Sequence, residues 1–193
     1  VKKVKAVKQS DIRFFYGFFV SQISSHWQMC LKGTKQIRGG NIMKIAIGCD
    51  EAGVRLRDTL KAFAEEKGHE LTDFGVKEDE SVLYPLIAEK IAKAVAAGEY
   101  ERGIILCGTG IGMAITANKV PGIRATVAHD VYSAERSIKS NNCQIITMGE
   151  RVIGAENAKT VLNAWLESTF DGGNSLPKVE KMIEIDESYR SQR

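Results

Sequence analysis

The chain has 193 residues, 44% apolar and 26% charged, proportions that suit one globular domain with its own core. It has no apolar run near the roughly 18–20 residues of a membrane span, and Cys30, Cys49, Cys107 and Cys143 lack CxxC or metal-ligand spacing, so a reduced, cytoplasmic chain is expected rather than a membrane protein or disulfide scaffold. The net charge of +3 hides an asymmetry: residues 1–42 hold eight Lys and Arg against Asp11 alone, whereas 43–193 hold 19 basic and 23 acidic residues, so the body does not read as a nucleic-acid binder.

Residues 1–42 differ in character from the rest of the chain. "VKKVKAVKQSDIRFFYGFFVSQISSHWQMC" mixes lysines with an aromatic clump and has no sustained period. A basic start and short apolar middle are traits of a targeting segment, but no small-residue cleavage site comes after them. The expectation is that 1–42 is an extension outside the folded domain, translated from upstream sequence. Met43 opens "MKIAIGCD", a clean first strand. Arg38-Gly39-Gly40 can be encoded by purine-rich codons resembling a bacterial ribosome-binding site, with Asn41-Ile42 as the usual spacer.

From Met43 to the end, strands and helices alternate. "KIAIGCD" (44–50) is a short apolar strand, and 54–68 carries a helical stripe at Leu56, Leu60, Phe63 and Ala64 that ends at Gly68. A strand over 69–75 and a helix over 84–99, with Pro85 in its first turn, come next. Strand 102–108 runs into a glycine-rich turn and a helix over 112–119. Strand 124–129, helix 131–139, strand 143–149, helix 154–168 and a last helix over 175–190 complete the pattern. Such alternation predicts right-handed crossovers and a five-stranded parallel sheet between helical layers, a single-domain Rossmann-like α/β sandwich over 43–193. Ligands in such sheets bind beyond the carboxyl ends of the strands. Those ends carry Cys49-Asp50-Glu51, Cys107-Gly108-Thr109, His129-Asp130 and Gly149-Glu150-Arg151.

"CGTGIG" (107–112) places a thiol where a strand meets Gly108, Gly110 and Gly112. Backbone N–H groups of a glycine-rich turn make a concave anion site, and a thiolate there serves as base or nucleophile. The plainer alternative is a tight turn with a buried cysteine. The stretch is neither a Walker loop nor a full GxGxxG, and no acidic ribose anchor follows strand two at Phe74-Gly75, which argues against a nucleotide-binding module. Of His26, His69 and His129, only His129 ends a strand beside the expected site, where a structural role is equally open. Asp50 either caps the next helix or, with Glu51, contacts sugar hydroxyls or assists proton transfer. No His, Asp and Glu set has metal-ligand spacing.

The segments "MKIAIGCDEAG", "YP", "GIILCGTGIGMAITANKVPGIRA", "HDVYSAERS", "NNCQIITMGERVIG" and "FDGG" occur in order, and through them residues 43–193 resemble the ribose 5-phosphate isomerase B / galactose 6-phosphate isomerase family. The resemblance implies an aldose–ketose isomerase that needs no metal or other cofactor and works through a cis-enediol. Cys107 would move the proton between C1 and C2. Gly108, Gly110 and Gly112 would hold the enediolate oxygen through backbone N–H groups. Thr109 and Asp50 match active-site positions, and Asn141 matches a substrate-contacting asparagine. The family also implies a homodimer, or a dimer of such dimers, with the site at the interface and phosphate held by cations of the partner.

The departures bear on substrate. The first loop reads Asp50-Glu51-Ala52-Gly53 where ribose isomerases of this type carry Asp-His-Ala-Gly, and Ser140 stands where they carry a ring-opening histidine. Of two tail arginines one is lost and the other is Lys178, leaving Arg151 and Lys178 as phosphate candidates; lysine does not reproduce a planar bidentate donor. A tetrose 4-phosphate cannot close a furanose ring, because its 4-hydroxyl is esterified, and so needs no ring opener. "HDVYSAERSIKSNNCQIITMGERVIGAENAKT" also resembles the branch that isomerises tetrulose 4-phosphates in erythritol-type catabolism. The expected reaction is therefore D-erythrulose 4-phosphate to D-erythrose 4-phosphate. The alternative is ribose 5-phosphate isomerisation, with His129 as ring opener. A non-catalytic sugar-phosphate sensor is disfavoured by Cys107, Thr109 and Asp50, since a sensor has no use for the thiol.

Overall fold

The computed structural model describes residues 36–37, 40–77 and 79–191. The expectation for residues 1–42 falls mostly outside them. Packing divides the chain between Asn41 and Ile42. On the amino-terminal side the described residues form a two-residue antiparallel ladder, Gln36–Ile37 with Gly40–Asn41.

The second unit holds five strands, β1 (Lys44–Cys49), β2 (Glu70–Asp73), β3 (Arg102–Cys107), β4 (Ala125–Val127) and β5 (Ile145–Gly149). The helices are α1 (Val54–Glu66), α2 (Tyr84–Ala96), α3 (Ile111–Ala117), α4 (Val131–Asn141), α5 (Ala155–Glu167) and α6 (Leu176–Arg190). The sheet is parallel throughout, in the order β2-β1-β3-β5-β4. Its central strands are continuous apolar runs because helices cover both faces. Ile45, Ile47, Ile104, Ile105, Leu106, Ile145, Ile146 and Met148 are all fully buried. The chain leaves β1 in one direction to reach β2 and then returns to β3 on the other side. A crevice opens between β1 and β3 at their carboxyl ends, where such sheets bind ligands. Among the described residues no helix is long and apolar enough to cross a membrane.

The observed elements match the expected ones within a few residues. The fifth strand starts at Ile145 rather than 143, because Gln144 is spent on Arg124. The Gln144 carboxamide oxygen accepts the Arg124 backbone N–H at 2.9 Å, and the Gln144 N–H donates to the Arg124 carbonyl at 3.0 Å. Helix α3 starts at Ile111, one residue early, with Gly110 as its cap.

Arg102, at the amino end of β3, anchors the end of α5. Its guanidinium donates to the carbonyls of Trp165 at 2.5 Å and Ser168 at 2.7 Å and lies 4.9 Å from the Trp165 ring centre. Burial pulls its pKa down to about 10, so the cation is costly and these carbonyls are its compensation. Arg102→Met leaves them without that donor while relieving the buried charge. The expected loss is about 1–3 kcal/mol in urea denaturation, with the circular dichroism of the fold retained.

Candidate active site

The register that pairs Cys49 with Leu106 and Cys107 with Gly149 brings three strand ends side by side. Asp50, Cys107 and Glu150 therefore leave the sheet at neighbouring positions. The turn after β1 packs closely on the end of β3, since a Cβ on Gly53 would lie 2.9 Å from the Leu106 carbonyl carbon and 3.1 Å from the Cys107 nitrogen.

Cys107 is 7% exposed, and its Sγ accepts the Gly110 N–H at 3.1 Å. The chain reverses sharply enough to point that N–H at the sulfur because Gly110 adopts φ +79°. The Gly110 carbonyl accepts from Thr147 Oγ1 at 2.8 Å. Thr109 is exposed, and its Oγ1 accepts the Ile111 N–H at 3.4 Å. The loop rests on the residues after β5, with the Glu150 N–H donating to the Cys107 carbonyl at 2.9 Å and the Arg151 N–H to the Gly108 carbonyl at 3.1 Å. This contact requires Gly149, where a Cβ would stand 2.4 Å from Thr109 Cα and 2.7 Å from the Gly108 oxygen.

Asp50 is 8% exposed, and its Oδ1 accepts the Ala52 N–H at 3.0 Å, so the capping reading holds for the 3-10 turn Glu51–Gly53. Burial raises its pKa, while the Ala52 hydrogen bond and nearby Arg151 pull the other way. Glu51 is exposed at the start of that turn. The Arg151 guanidinium lies against Gly108, with its Nε 3.4 Å and Cζ 3.5 Å from where a Gly108 Cβ would be. One chain thus gathers the thiol, a carboxyl and a cation around one loop. Glu150 holds the cluster together from outside: its carboxylate accepts from Arg55 Nε at 3.1 Å and the Leu56 N–H at 3.0 Å, tying β5 to the first turn of α1.

Tyr84 is a member of this neighbourhood that no sequence motif singled out as functional. Its ring and hydroxyl lie 2.7 Å from where a Gly112 Cβ would be, so the phenol covers the start of α3. The "YP" dipeptide was the only signal for it. His129 Nε2 accepts the Gly149 N–H at 2.9 Å.

Asn141 and Lys178 do not join the cluster within one chain. Helix α4 starts at the carboxyl edge of the sheet and ends at the amino edge, where Arg124 Nε donates to the Asn141 carbonyl at 3.2 Å. Strand β3, about 3.3 Å per residue, separates that edge from Cys107. Lys178 lies in the first turn of α6, which packs on α4 and accepts the Gly122 N–H through Asp186 at 2.9 Å. Among the described residues no group of three or more His, Cys, Asp and Glu side chains is arranged to hold a metal ion.

The thiol and its glycine-rich turn stand at the switch point of a parallel sheet, the place where α/β folds of this class bind ligands. The family model described as Ribose/Galactose Isomerase matches residues 45–182, and the chain belongs to that family. It is 58% identical over 148 residues to "Ribose-5-P isomerase B" of Listeria innocua, covering 77% of this chain and all of that one. It is 50% identical over 142 residues to "D-erythrulose-4-phosphate isomerase" of Pectobacterium atrosepticum, covering 73% of this chain and 93% of the relative. The solved structure of ribose-5-phosphate isomerase B from Clostridium thermocellum superposes with a TM-score of 0.74 at 44% identity, covering 76% of this chain and 99% of the other. The protein is a sugar-phosphate aldose–ketose isomerase of this family.

Gly110→Ala puts a Cβ in the left-handed region and 3.0 Å from the Met148 carbonyl carbon. The expected cost is about 2–4 kcal/mol, read as a lower urea midpoint.

Proposed function

We propose that the enzyme interconverts D-erythrulose 4-phosphate and D-erythrose 4-phosphate. The carrying observation is the position of Arg151, whose guanidinium lies against Gly108 in the loop that bears Cys107. A cation that close to the reacting carbons suits a short substrate. Ser140 in place of a ring-opening histidine agrees with a substrate that cannot form a furanose. The 50% identity to a D-erythrulose-4-phosphate isomerase supports the same reading. The second reading, ribose 5-phosphate isomerisation, is favoured by the 58% identity to a relative named for that activity.

In the proposed mechanism Cys107, as thiolate, takes a proton from C1 of the ketose. The C1–H electron pair forms the C1=C2 bond of a cis-enediol, and the carbonyl oxygen on C2 takes up negative charge and then a proton. The Gly110 N–H is spent on Sγ, and the remaining backbone N–H groups of the 108–112 turn receive that oxygen, since donors fixed in advance stabilise charge as it develops. Asp50, whose pKa burial raises, passes the hydroxyl proton from O1 to O2. The thiol then returns its proton to C2, leaving the aldehyde at C1. Thr109 and Glu51 are placed to bind substrate hydroxyls, and Arg151 to bind phosphate.

Asn141 and Lys178 enter this site from a second copy of the chain, making the working unit a homodimer. Leu83, Leu86, Ile111 and Ile115 are 54–74% exposed on or beside the packed helices α2 and α3, near Cys107, and supply an apolar face for that contact. The enzyme operates in the cytoplasm, where the free thiols Cys49, Cys107 and Cys143 stay reduced.

Turnover on D-erythrulose 4-phosphate and D-ribose 5-phosphate, side by side, tests the substrate. The expected result is higher kcat/KM for the tetrulose, and Cys107→Ala lowers kcat by about 10²–10⁴ on either. Preference for ribose 5-phosphate replaces the first reading with the second.

Mixing tests the shared site. Cys107→Ala and Asn141→Ala are each nearly inactive, and re-equilibrated together they regain about a quarter of wild-type activity, because half of the dimers each carry one intact site. No recovery, with dimers exchanging subunits, removes the interface reading.

A further inference from the structure

We propose that His129 is a positioning residue: it holds the Cys107 loop in its working geometry through Gly149, and protonation of its Nε2 releases that hold. The inference rests on the reading of Cys107 as the base and adds a group that does not itself meet the substrate.

His129 stands two positions past the end of β4, and β4 is an edge strand. Cys107 ends β3, two strands inward, so about 10 Å of sheet lies between the two chain positions. The imidazole spends Nε2 on the Gly149 N–H at 2.9 Å. Accepting that bond requires an unprotonated Nε2, so the ring hydrogen sits on Nδ1. Gly149 is the contact point of the loop, since its missing Cβ makes room for Thr109 Cα and the Gly108 oxygen. The next two N–H groups, of Glu150 and Arg151, hold the Cys107 and Gly108 carbonyls. The path from His129 to the sulfur is thus one hydrogen bond, one backbone contact and two more hydrogen bonds.

An imidazolium would set an N–H against the Gly149 N–H and break the first link. Burial favours the neutral ring, opposed by Asp130. Asp130 itself is exposed and caps α4, accepting the Ser133 N–H at 2.7 Å. From the β5 side, Glu150 is turned to Arg55 and Leu56, and Arg151 lies over Gly108. The loop 107–112 carries one titratable side chain, the Cys107 thiol, two strands inward from His129. The native ring therefore takes its proton at lower pH than an unfolded chain does. This contribution to stability is complete above the unfolded value and is lost as pH falls from there through the depressed native value, where the hold on the loop is released.

The test is a pair of variants of the full chain, assayed from pH 4.5 to 8 on whichever sugar phosphate the wild type turns over. His129→Leu removes the acceptor and is expected to lower kcat about tenfold or more at every pH, with KM little changed. His129→Gln supplies an acceptor that does not titrate; it recovers most of that loss and flattens the part of the acid limb that belongs to His129. The substrate phosphate also titrates, near pH 6, but contributes equally to wild type and His129→Gln, so the difference between the two profiles isolates the histidine. Nitrogen NMR of the ring should show the Nδ1–H tautomer at pH 7.5. An acid limb identical in wild type and His129→Gln overturns the proposal. So does a His129→Gln enzyme that fails on cyclic ribose 5-phosphate while working on the open-chain tetrulose, which would make the histidine a ring opener. Full activity in Cys107→Ala would instead remove the reading beneath it, whatever His129 does.

Discussion

The contact between Gly149 and the 108–109 backbone is the constraint on which the site depends. Two chain segments approach so closely that a single methyl group would stand 2.4 Å from Thr109 Cα. Everything around it is set by that proximity. The Glu150 and Arg151 N–H groups reach the Cys107 and Gly108 carbonyls only because the backbones are in contact. The Arg151 side chain is then delivered over Gly108, beside the thiol and near enough to Asp50 to act on its charge. The sulfur is aimed by a second glycine, Gly110, whose left-handed backbone turns its own N–H back onto Sγ. For the proposed role of Cys107 as base this rigidity matters, since a small misplacement from the C–H it attacks costs much of the effect.

The parallel sheet also decides what one chain cannot do alone. Its switch point collects the reactive groups at the carboxyl edge, whereas a helix running back from that edge must end at the other. Asn141 closes α4 at the amino edge, held by Arg124, and Lys178 belongs to the segment that packs along α4. No side-chain rearrangement crosses the length of the sheet. The proposed site, which uses both groups, therefore needs two chains, and on that reading the exposed apolar side chains of α2 and α3 are the contact between them.

Most of the fold was legible in the sequence, for reasons that lie in the residues. The runs "IAIGC", "IILC" and "IITMG" are apolar without alternation, which marks strands covered on both faces, and each ends in the polar residues that form the site. The strand order was not legible. That β5 inserts between β3 and the edge strand β4 depends on packing between distant segments, and with it goes the adjacency of Cys107 and Gly149. Asp50, Cys107, Thr109 and Arg151 could be picked out because strand ends and a glycine-rich turn are local signals. Tyr84 could not, because its contact with Gly112 spans 28 positions and leaves no local pattern. For His129 the sequence marked the position but left the role open; Nε2 meets a backbone N–H, and backbone partners have no signature in side-chain spacing.

Substrate length is the property these features bear on most directly. In the proposed mechanism C1 and C2 lie at the sulfur and the phosphate at a cation, so the distance between base and cation acts as a ruler for the carbon chain. On the proposed reading the near mark on that ruler is Arg151, over the same loop as Cys107, and the far mark is Lys178 of a second copy. A planar, bidentate guanidinium grips phosphate more firmly than a lysine does. With the stronger cation at the near mark and the weaker at the far one, the proposed arrangement would favour the shorter sugar phosphate. Ser140 acts in the same direction, since a serine hydroxyl provides no proton transfer near neutral pH for opening a ring. Ring opening and a longer phosphate reach are separate needs of a pentose phosphate, and a tetrose 4-phosphate has neither, so the proposed substrate would account for both departures at once.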